Sequence, residues 1–317
     1  MRTNVSVIQA ETGGKVQRNE IMVSVCMITY NHENFIRRAI EGVLAQEVNF
    51  PFELLIFNDA STDNTDGVIR NLMQTHPKAG LIKYGVHEKN IGLPANYAWS
   101  INNCKGNFIA ICEGDDYWID PKKLQKQVDL LEQNPACSFC FHQALRIDTV
   151  TNQYSVYPVN DRTIFDAASF FQMTTIPMAS VVFRNSVPRH FVNGHMQLDF
   201  ALLCNLLSHG TAYFLPEVMS VYRVHPNAFT ANKGLLSYMQ KMISDIREAS
   251  GLQQYSKPVR RQVARVYMLH VLRLIEAHGN KISRGQRVRY LLQFLKTGRP
   301  SRLYLPLYRS LLASVVK

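Results

Sequence analysis

Four short apolar runs, each followed by a helical stretch, constrain this chain more than any other feature of its sequence. Met22–Thr29, Phe52–Phe57, Leu81–Val86 and Asn107–Cys112 are the runs. Met22–Thr29 has the length and continuous hydrophobicity of a strand buried on both faces, and the other three have strand length. The stretches between them carry apolar residues at helical spacing. One runs from Asn34 to Gln46, a second passes through Val68, Ile69 and Leu72, and Pro94 opens a third. Asp120-Pro121 is expected to cap and start the fourth, which carries Leu124, Val128 and Leu131. Strand and helix thus alternate four times in about 115 residues, which predicts a mostly parallel α/β sheet with helices on both faces. Beyond Cys137 the pattern loosens. Strands are expected at 139–147, 179–183, 211–215 and 218–224, with a helix over 197–209.

In such sheets a ligand sits outside the carboxyl ends of the strands. The polar clusters lie there: Tyr30-Asn31-His32, Asn58-Asp59 and Asp115-Asp116. Adjacent carboxylates repel unless a cation is near. Hard oxygen ligands suit Mg2+ or Mn2+, bound through one or two carboxylates plus phosphate oxygens. A solvated turn leading into a helix is the other reading of Asp115-Asp116. The first strand is followed by Thr29-Tyr-Asn-His-Glu33. No glycine-rich phosphate loop stands there, and the chain has no G-x-S-x-G elbow.

Val23-Ser-Val-Cys-Met-Ile-Thr-Tyr-Asn31, Leu55-Ile-Phe-Asn-Asp-Ala-Ser-Thr-Asp-Asn-Thr65, Asn90-Ile-Gly92 and Glu113-Gly-Asp-Asp-Tyr-Trp118 occur in that order. Together they resemble the family 2 glycosyltransferases, which have the Rossmann-like GT-A fold, over residues 22–227. The resemblance implies a metal-dependent, inverting transfer of sugar from a nucleotide diphosphate, UDP the usual carrier, to a saccharide or lipid-linked saccharide in surface polysaccharide synthesis. It implies that Thr29 and Tyr30 line the nucleotide pocket and that Asp59 bonds the base. Asp115 would lie near the ribose or donor sugar, and Asp116 would bind Mn2+ or Mg2+ at the diphosphate. Asn58 departs from the more usual Asp-Asp pair, and Asn96 stands where the family often has a basic residue near the diphosphate. In the second half, Asp199 of Gln197-Leu-Asp-Phe200 is implied as the catalytic base. Arg223 and His225 of Ser220-Val-Tyr-Arg-Val-His225 would close over the diphosphate or metal. Read without the family, Asp199 is a first-turn acid stabilising a helix dipole and His225 a core histidine. Two other functions stay in view: a sugar-1-phosphate nucleotidyltransferase, and a non-catalytic scaffold that binds sugar nucleotides.

Charge separates the end of the chain from its body. Of the net charge of +11, Met1–Ser256 carry −2 and Lys257–Lys317 carry +13. A wholly basic nucleic-acid-binding domain is thereby excluded. Three regions are expected: a loose lead-in over 1–21, a sheet domain over 22–230 and a basic helical region over 231–317. The sheet domain divides into a nucleotide-sugar half, 22–135, and an acceptor half, 136–230. Tyr304, Leu307, Tyr308, Leu311, Leu312 and Val315 make an apolar stripe flanked by arginines. It would pack on the body, on a second copy of the chain as a homodimer, or on an anionic membrane surface. The first 22 residues lack the apolar stretch of a signal peptide. With six cysteines set among apolar neighbours, this predicts buried thiols in a reducing cytoplasmic setting; the membrane alternative for the basic stripe would place the chain on the membrane's inner face. Cys137 and Cys140 have metal-ligand spacing but no second pair, so a zinc site is not expected.

Overall fold

The structure is a computed structural model. It describes residues 5–9, 21–158, 160–172, 176–187, 198–228, 255–263 and 282–297, with the single positions 266, 271, 309 and 313. The first half builds β2 (Val23–Thr29), α1 (Ile36–Leu44), β3 (Phe52–Asn58), α2 (Thr65–Thr75), β4 (Ile82–His87), α3 (Leu93–Asn103) and β5 (Phe108–Ile111). Strands β4, β3, β2 and β5 are neighbours in that order and all parallel. The side-chain period of two sorts each strand between two cores. Cys26, Ile28, Leu55, Phe57, Ile109 and Ile111 face one way, where Tyr97 and Ile101 of α3 cover them. Val25, Met27, Leu54, Ile56 and Ala110 face the other way, under α1 and α2. Both faces are covered, so β2 and β3 are buried at every position. Burying a side chain of this size contributes about 1.5–3 kcal/mol.

The second half extends the same sheet. It contributes β6 (Tyr117–Trp118), α4 (Lys123–Gln133), β7 (Cys137–Asp148), β8 (Tyr154–Tyr157), β9 (Ile164–Phe165), α5 (Ala167–Phe170), β10 (Val182–Arg184), α6 (Leu198–His209) and β11 (Thr211–Val224). Strand β10 runs antiparallel between β5 and β7, β11 lies parallel to β7, and β6 closes the order antiparallel to β11. Helix α4 joins α1 and α2 on one face, and α6 joins α3 on the other.

Four sequence expectations change here. The lead-in contains a strand, β1 (Val5–Gln9), paired antiparallel with β4 at the sheet edge. The two strands expected over 211–224 are one, with register shifts around Pro216, where a residue without N–H cannot continue the ladder. Ala179 and Ser180 form a 3-10 turn before β10. Helix α4 starts at Lys123 rather than at Pro121, because Asp120 spends its carboxylate on the Lys122 N–H and the Lys126 ammonium, both at 2.8 Å. All six cysteines are buried free thiols. Among the described residues no helix is long and apolar enough to cross a membrane. A C-terminal helix covers Arg284–Thr297, and the stripe from Tyr304 to Val315 lies outside the described residues except at 309 and 313.

One buried charge gives a stability test. Lys123 is fully buried, with its Nζ donating to Gln127 Oε1 at 2.7 Å and lying 3.9 Å from the Trp118 ring centroid. Burial pushes its pKa down to about 7 from 10.5. Between those values the unfolded chain holds a proton that the folded one has released, so this group makes stability rise with pH from about 7 to about 10.5. The slope is at most about 1.4 kcal/mol per pH unit. Urea unfolding of Lys123→Met across that range should show a flatter rise than the wild type. An unchanged slope would mean that Lys123 keeps its charge inside.

Candidate active site

The turns after β2 and β3 are laced into one rim. Asn31, at φ 56°, donates its N–H to Ser61 Oγ and accepts the Thr62 N–H on Oδ1 at 2.8 Å. The His32 N–H reaches Thr65 Oγ1 at 2.8 Å. Asn58 accepts the Ser61 N–H and donates its amide to the Tyr84 hydroxyl at 2.8 Å. A carboxylate could not do both, which accounts for the asparagine. Asp59 is 2% exposed and ties β3 to the loop before α3, its two oxygens accepting the N–H groups of Ile91 at 2.8 Å and Gly92 at 2.9 Å. Thr29 is buried at the end of β2, while Tyr30 is 42% exposed on the rim.

The acidic turn after β5 packs against this rim. Gly114 is required there, since a Cβ would lie 2.8 Å from both His32 Nδ1 and Thr29 Oγ1. Asp115 Oδ2 sits 3.3 Å from His225 Nε2 and 3.7 Å from His32 Nε2. Burial alone would raise its pKa, but the charge of His32 and the bond from His225 hold it down at about 2. Asp116 is 1% exposed. Its Oδ1 accepts the Arg223 N–H at 2.9 Å, and its Oδ2 has no partner. Burial first, and then the Asp115 charge, raise the Asp116 pKa well above the carboxylate range. His32 goes the other way, its pKa lowered by burial.

Strand β6 is the reason that distant residues meet here. Tyr117 and Trp118 pair with Val221 and Ser220 of β11, which delivers Arg223 and His225 to the acidic turn. The Arg223 guanidinium grips the carbonyls of Asp115, Asp116 and Phe35 and lies between the Phe35 and Tyr117 rings, 4.7 and 4.9 Å from their centroids. It therefore braces the turn from beneath. His225 is buried against the Phe35 ring at 4.4 Å.

Asp199 arrives from the first turn of α6. It is exposed at the rim, yet the protein crowded around its carboxyl pushes its pKa up to about 6, with the Tyr97 hydroxyl pulling the opposite way. Glu113, just before the acidic turn, feels it. Burial and then the Asp199 charge, ahead of those of Asp116 and Asp115, hold the Glu113 carboxyl protonated well above its ordinary range. Glu113, Asp115 and Asp116 thus share one acidic turn, with His32 and His225 beside Asp115 and the Arg223 N–H on Asp116.

Asn96 is not brought into this cluster. It is buried at the start of α3, its Oδ1 3.0 Å from His87 Nε2 and its amide on the Phe57 carbonyl at 3.2 Å. Sequence reasoning gave no role to His32, Phe35, Tyr97 or Glu113. His32 and Glu113 stood within the polar turns, whereas the apolar surroundings of Phe35 and Tyr97 carried no signal. Among the described residues no three His, Cys, Asp or Glu side chains converge as a metal cage. The orphaned Asp116 Oδ2 beside Asp115 does fit a hard divalent ion held by one or two carboxylates and completed by phosphate oxygens and water.

The sequence profile of Glycosyl transferase family 2 matches residues 24–188. The chain belongs to that family. Its sheet is of the GT-A type. S. aureus TarS 1-349, solved with UDP and with UDP-GlcNAc, superposes with a TM-score of 0.62 at 16% and 14% identity, covering 93% of this chain and 88% of TarS. The mannosyltransferase PcManGT of Pyrobaculum calidifontis, solved with GDP-Man and Mn2+, superposes with a TM-score of 0.55 at 15% identity, covering 93% and 86%. In sequence, the uncharacterized protein Rv1520 of Mycobacterium tuberculosis is 35% identical over 205 residues, which span 64% of this chain and 59% of that one. TuaG of Bacillus subtilis, named for teichuronic acid biosynthesis, is 27% identical over 217 residues, 67% of this chain and 82% of TuaG.

Proposed function

We propose that this family 2 protein is an inverting glycosyltransferase that moves a sugar from a UDP-linked donor to a saccharide or lipid-linked saccharide acceptor. The observation that carries the reading is the acidic turn after β5, where the buried Asp116 keeps an unpartnered oxygen beside Asp115 and β11 delivers Arg223 and His225. Asp199, in the first turn of α6, would supply the base, and the buried Asp116 with the partly buried Asp115 would anchor a charged leaving group. The division into a nucleotide-sugar half, 22–135, and an acceptor half, 136–230, belongs to the same proposal.

Asp199 takes the proton of the acceptor hydroxyl. That oxygen attacks the anomeric carbon, and the bond from this carbon to the diphosphate oxygen breaks on the opposite side. The nucleoside diphosphate leaves with the electron pair, and configuration inverts. Thr29 and Tyr30 flank the nucleotide, and Asp59, fixed by Ile91 and Gly92, offers its remaining lone pairs to the base. Mn2+ or Mg2+ held by Asp116, with His225 and Asp115 beside it, would neutralise charge on the departing diphosphate. Arg223 keeps that turn in place. Support for a nucleotide donor comes from the fold shared with TarS and PcManGT, solved with UDP, UDP-GlcNAc and GDP-Man.

Calorimetric titration with UDP and GDP, each with Mn2+ and with excess chelator, tests the donor site. UDP should bind in the presence of Mn2+ and lose its affinity with chelator. Binding of GDP in preference would overturn the role given to Asp59, and binding of neither would overturn the donor site itself.

A further inference from the structure

His32 sits where the first rim turn meets the acidic turn, and it has no part in the transfer described above. Its backbone N–H is fixed on Thr65 Oγ1 at 2.8 Å. Its ring lies under Gly114, where an added Cβ would come within 2.8 Å of Nδ1. Nδ1 stands 3.2 Å from Thr29 Oγ1, and Nε2 stands 3.7 Å from Asp115 Oδ2. An ionised carboxylate only accepts, and a neutral imidazole carries one donor and one acceptor. The ring proton therefore belongs on Nε2, toward Asp115, while Nδ1 accepts from the Thr29 hydroxyl. His225 Nε2 approaches the same carboxylate oxygen at 3.3 Å. Two imidazoles thus address Oδ2, and neither takes Oδ1.

The strand order says what this carboxylate would meet. β3, β2 and β5 are neighbours in that order. Their turns therefore set Asp59 first, then Thr29 and His32, then Asp115 and Asp116 along the rim. A nucleoside diphosphate laid along it, with its base at Asp59 and its diphosphate at Asp116, brings its ribose to Asp115. We propose that His32 is the positioning residue of this ribose subsite: held by Thr29, it orients Asp115 so that Oδ1 accepts a ribose hydroxyl of the nucleoside diphosphate. The inference rests on the reading of the rim as a nucleotide donor site. A 3.7 Å separation is of the kind that tightens once a ligand is in place. The Phe35 and His225 rings stand edge-on to the imidazole, with centroids 6.4 and 6.3 Å away, and limit its rotation.

The test is calorimetry of the full chain in Mn2+ with UDP, 2′-deoxy-UDP and 3′-deoxy-UDP, on the wild type, His32→Asn and His32→Gln. Asparagine places its amide near the position of Nδ1 and cannot reach Asp115, whereas glutamine extends an N–H donor to the position of Nε2. His32→Asn should weaken UDP binding by about ten- to a hundredfold, the range for groups that orient a ligand-holding side chain. His32→Gln should keep most of the affinity. Removing the ribose hydroxyl that Asp115 accepts should cost the wild type about tenfold or more, and His32→Asn almost nothing further. Equal losses in the two variants, or a deoxy penalty undiminished in His32→Asn, would mean that His32 only packs, and either result overturns the proposal. If His32→Asn does not fold, nitrogen-15 NMR of the wild-type imidazoles decides, with His32→Gln identifying the ring. The proton should sit on Nε2, and an Nδ1–H tautomer overturns the contact with Asp115. UDP bound equally by the wild type and His32→Asn sinks this inference alone, whereas a wild type that binds no nucleoside diphosphate sinks the donor site and the positioning together.

Discussion

Asp199→Asn lowers the rate of sugar transfer by about 10²–10⁴-fold, the usual contribution of a positioned general base, and leaves UDP affinity unchanged. Asparagine keeps the shape and the first-turn position but cannot accept a proton at neutral pH. The wild type should also show a base limb. With the Asp199 pKa near 6, kcat/KM is level above that pH and falls about tenfold per unit below it, because only the ionised carboxylate can take the proton. In the variant that limb disappears along with the rate. The measurement is UDP release against pH, with the UDP-sugar and saccharide that support turnover. A variant retaining more than about a tenth of the rate would assign the proton to another group.

Asp116→Asn has two effects of opposite sign. UDP binding in Mn2+ weakens by about a hundredfold, at the upper end of the ten- to hundredfold typical of groups that only orient a metal ligand. Folding stability, however, rises. Asp116 is buried, has one oxygen without a partner, and has its pKa raised by burial and by Asp115. A folded-state pKa above the unfolded one means that this group favours the native state in acid and loses that contribution as pH rises. At neutral pH the charge is a burden, and the amide removes it while still accepting the Arg223 N–H on its oxygen. Thermal unfolding without metal should show a higher midpoint for the variant, and calorimetry should show the lost affinity. A lower midpoint would mean that Asp116 is paired within the apo protein, and unchanged affinity would place the cation elsewhere. The combination also tells a lost site from a lost fold.

Most of the first half of the sheet was legible in the sequence because its signals are local. Met22–Thr29, Phe52–Phe57 and Asn107–Cys112 are largely apolar runs, and each lies within a residue or two of its strand. Asp59, Asp115 and Asp116 stand at strand ends in the fold as in the sequence. Their uses are less visible there. Asp59 spends both oxygens on the backbone of the loop before α3, and Arg223 grips carbonyls beneath the turn. Asn96 turned inward because the neighbouring His87 ring and Phe57 carbonyl offered its amide complementary partners.

What the sequence by itself determined was the parallel layer and its polar edge. Periodicity and turn chemistry act over a few residues, and they suffice to choose a strand buried on both faces and a turn that ends it. What only the tertiary structure decided was which distant groups share that edge. β6 is two residues long, too short for any period to be read. Its pairing with β11, about a hundred residues on, places the Arg223 N–H on Asp116 and His225 on Asp115. The packing of α6, which carries Asp199 in its first turn, on α3 is decided the same way. Such meetings are set by which surfaces bury each other across the sheet, a property of the assembled cores that no stretch of the chain carries alone.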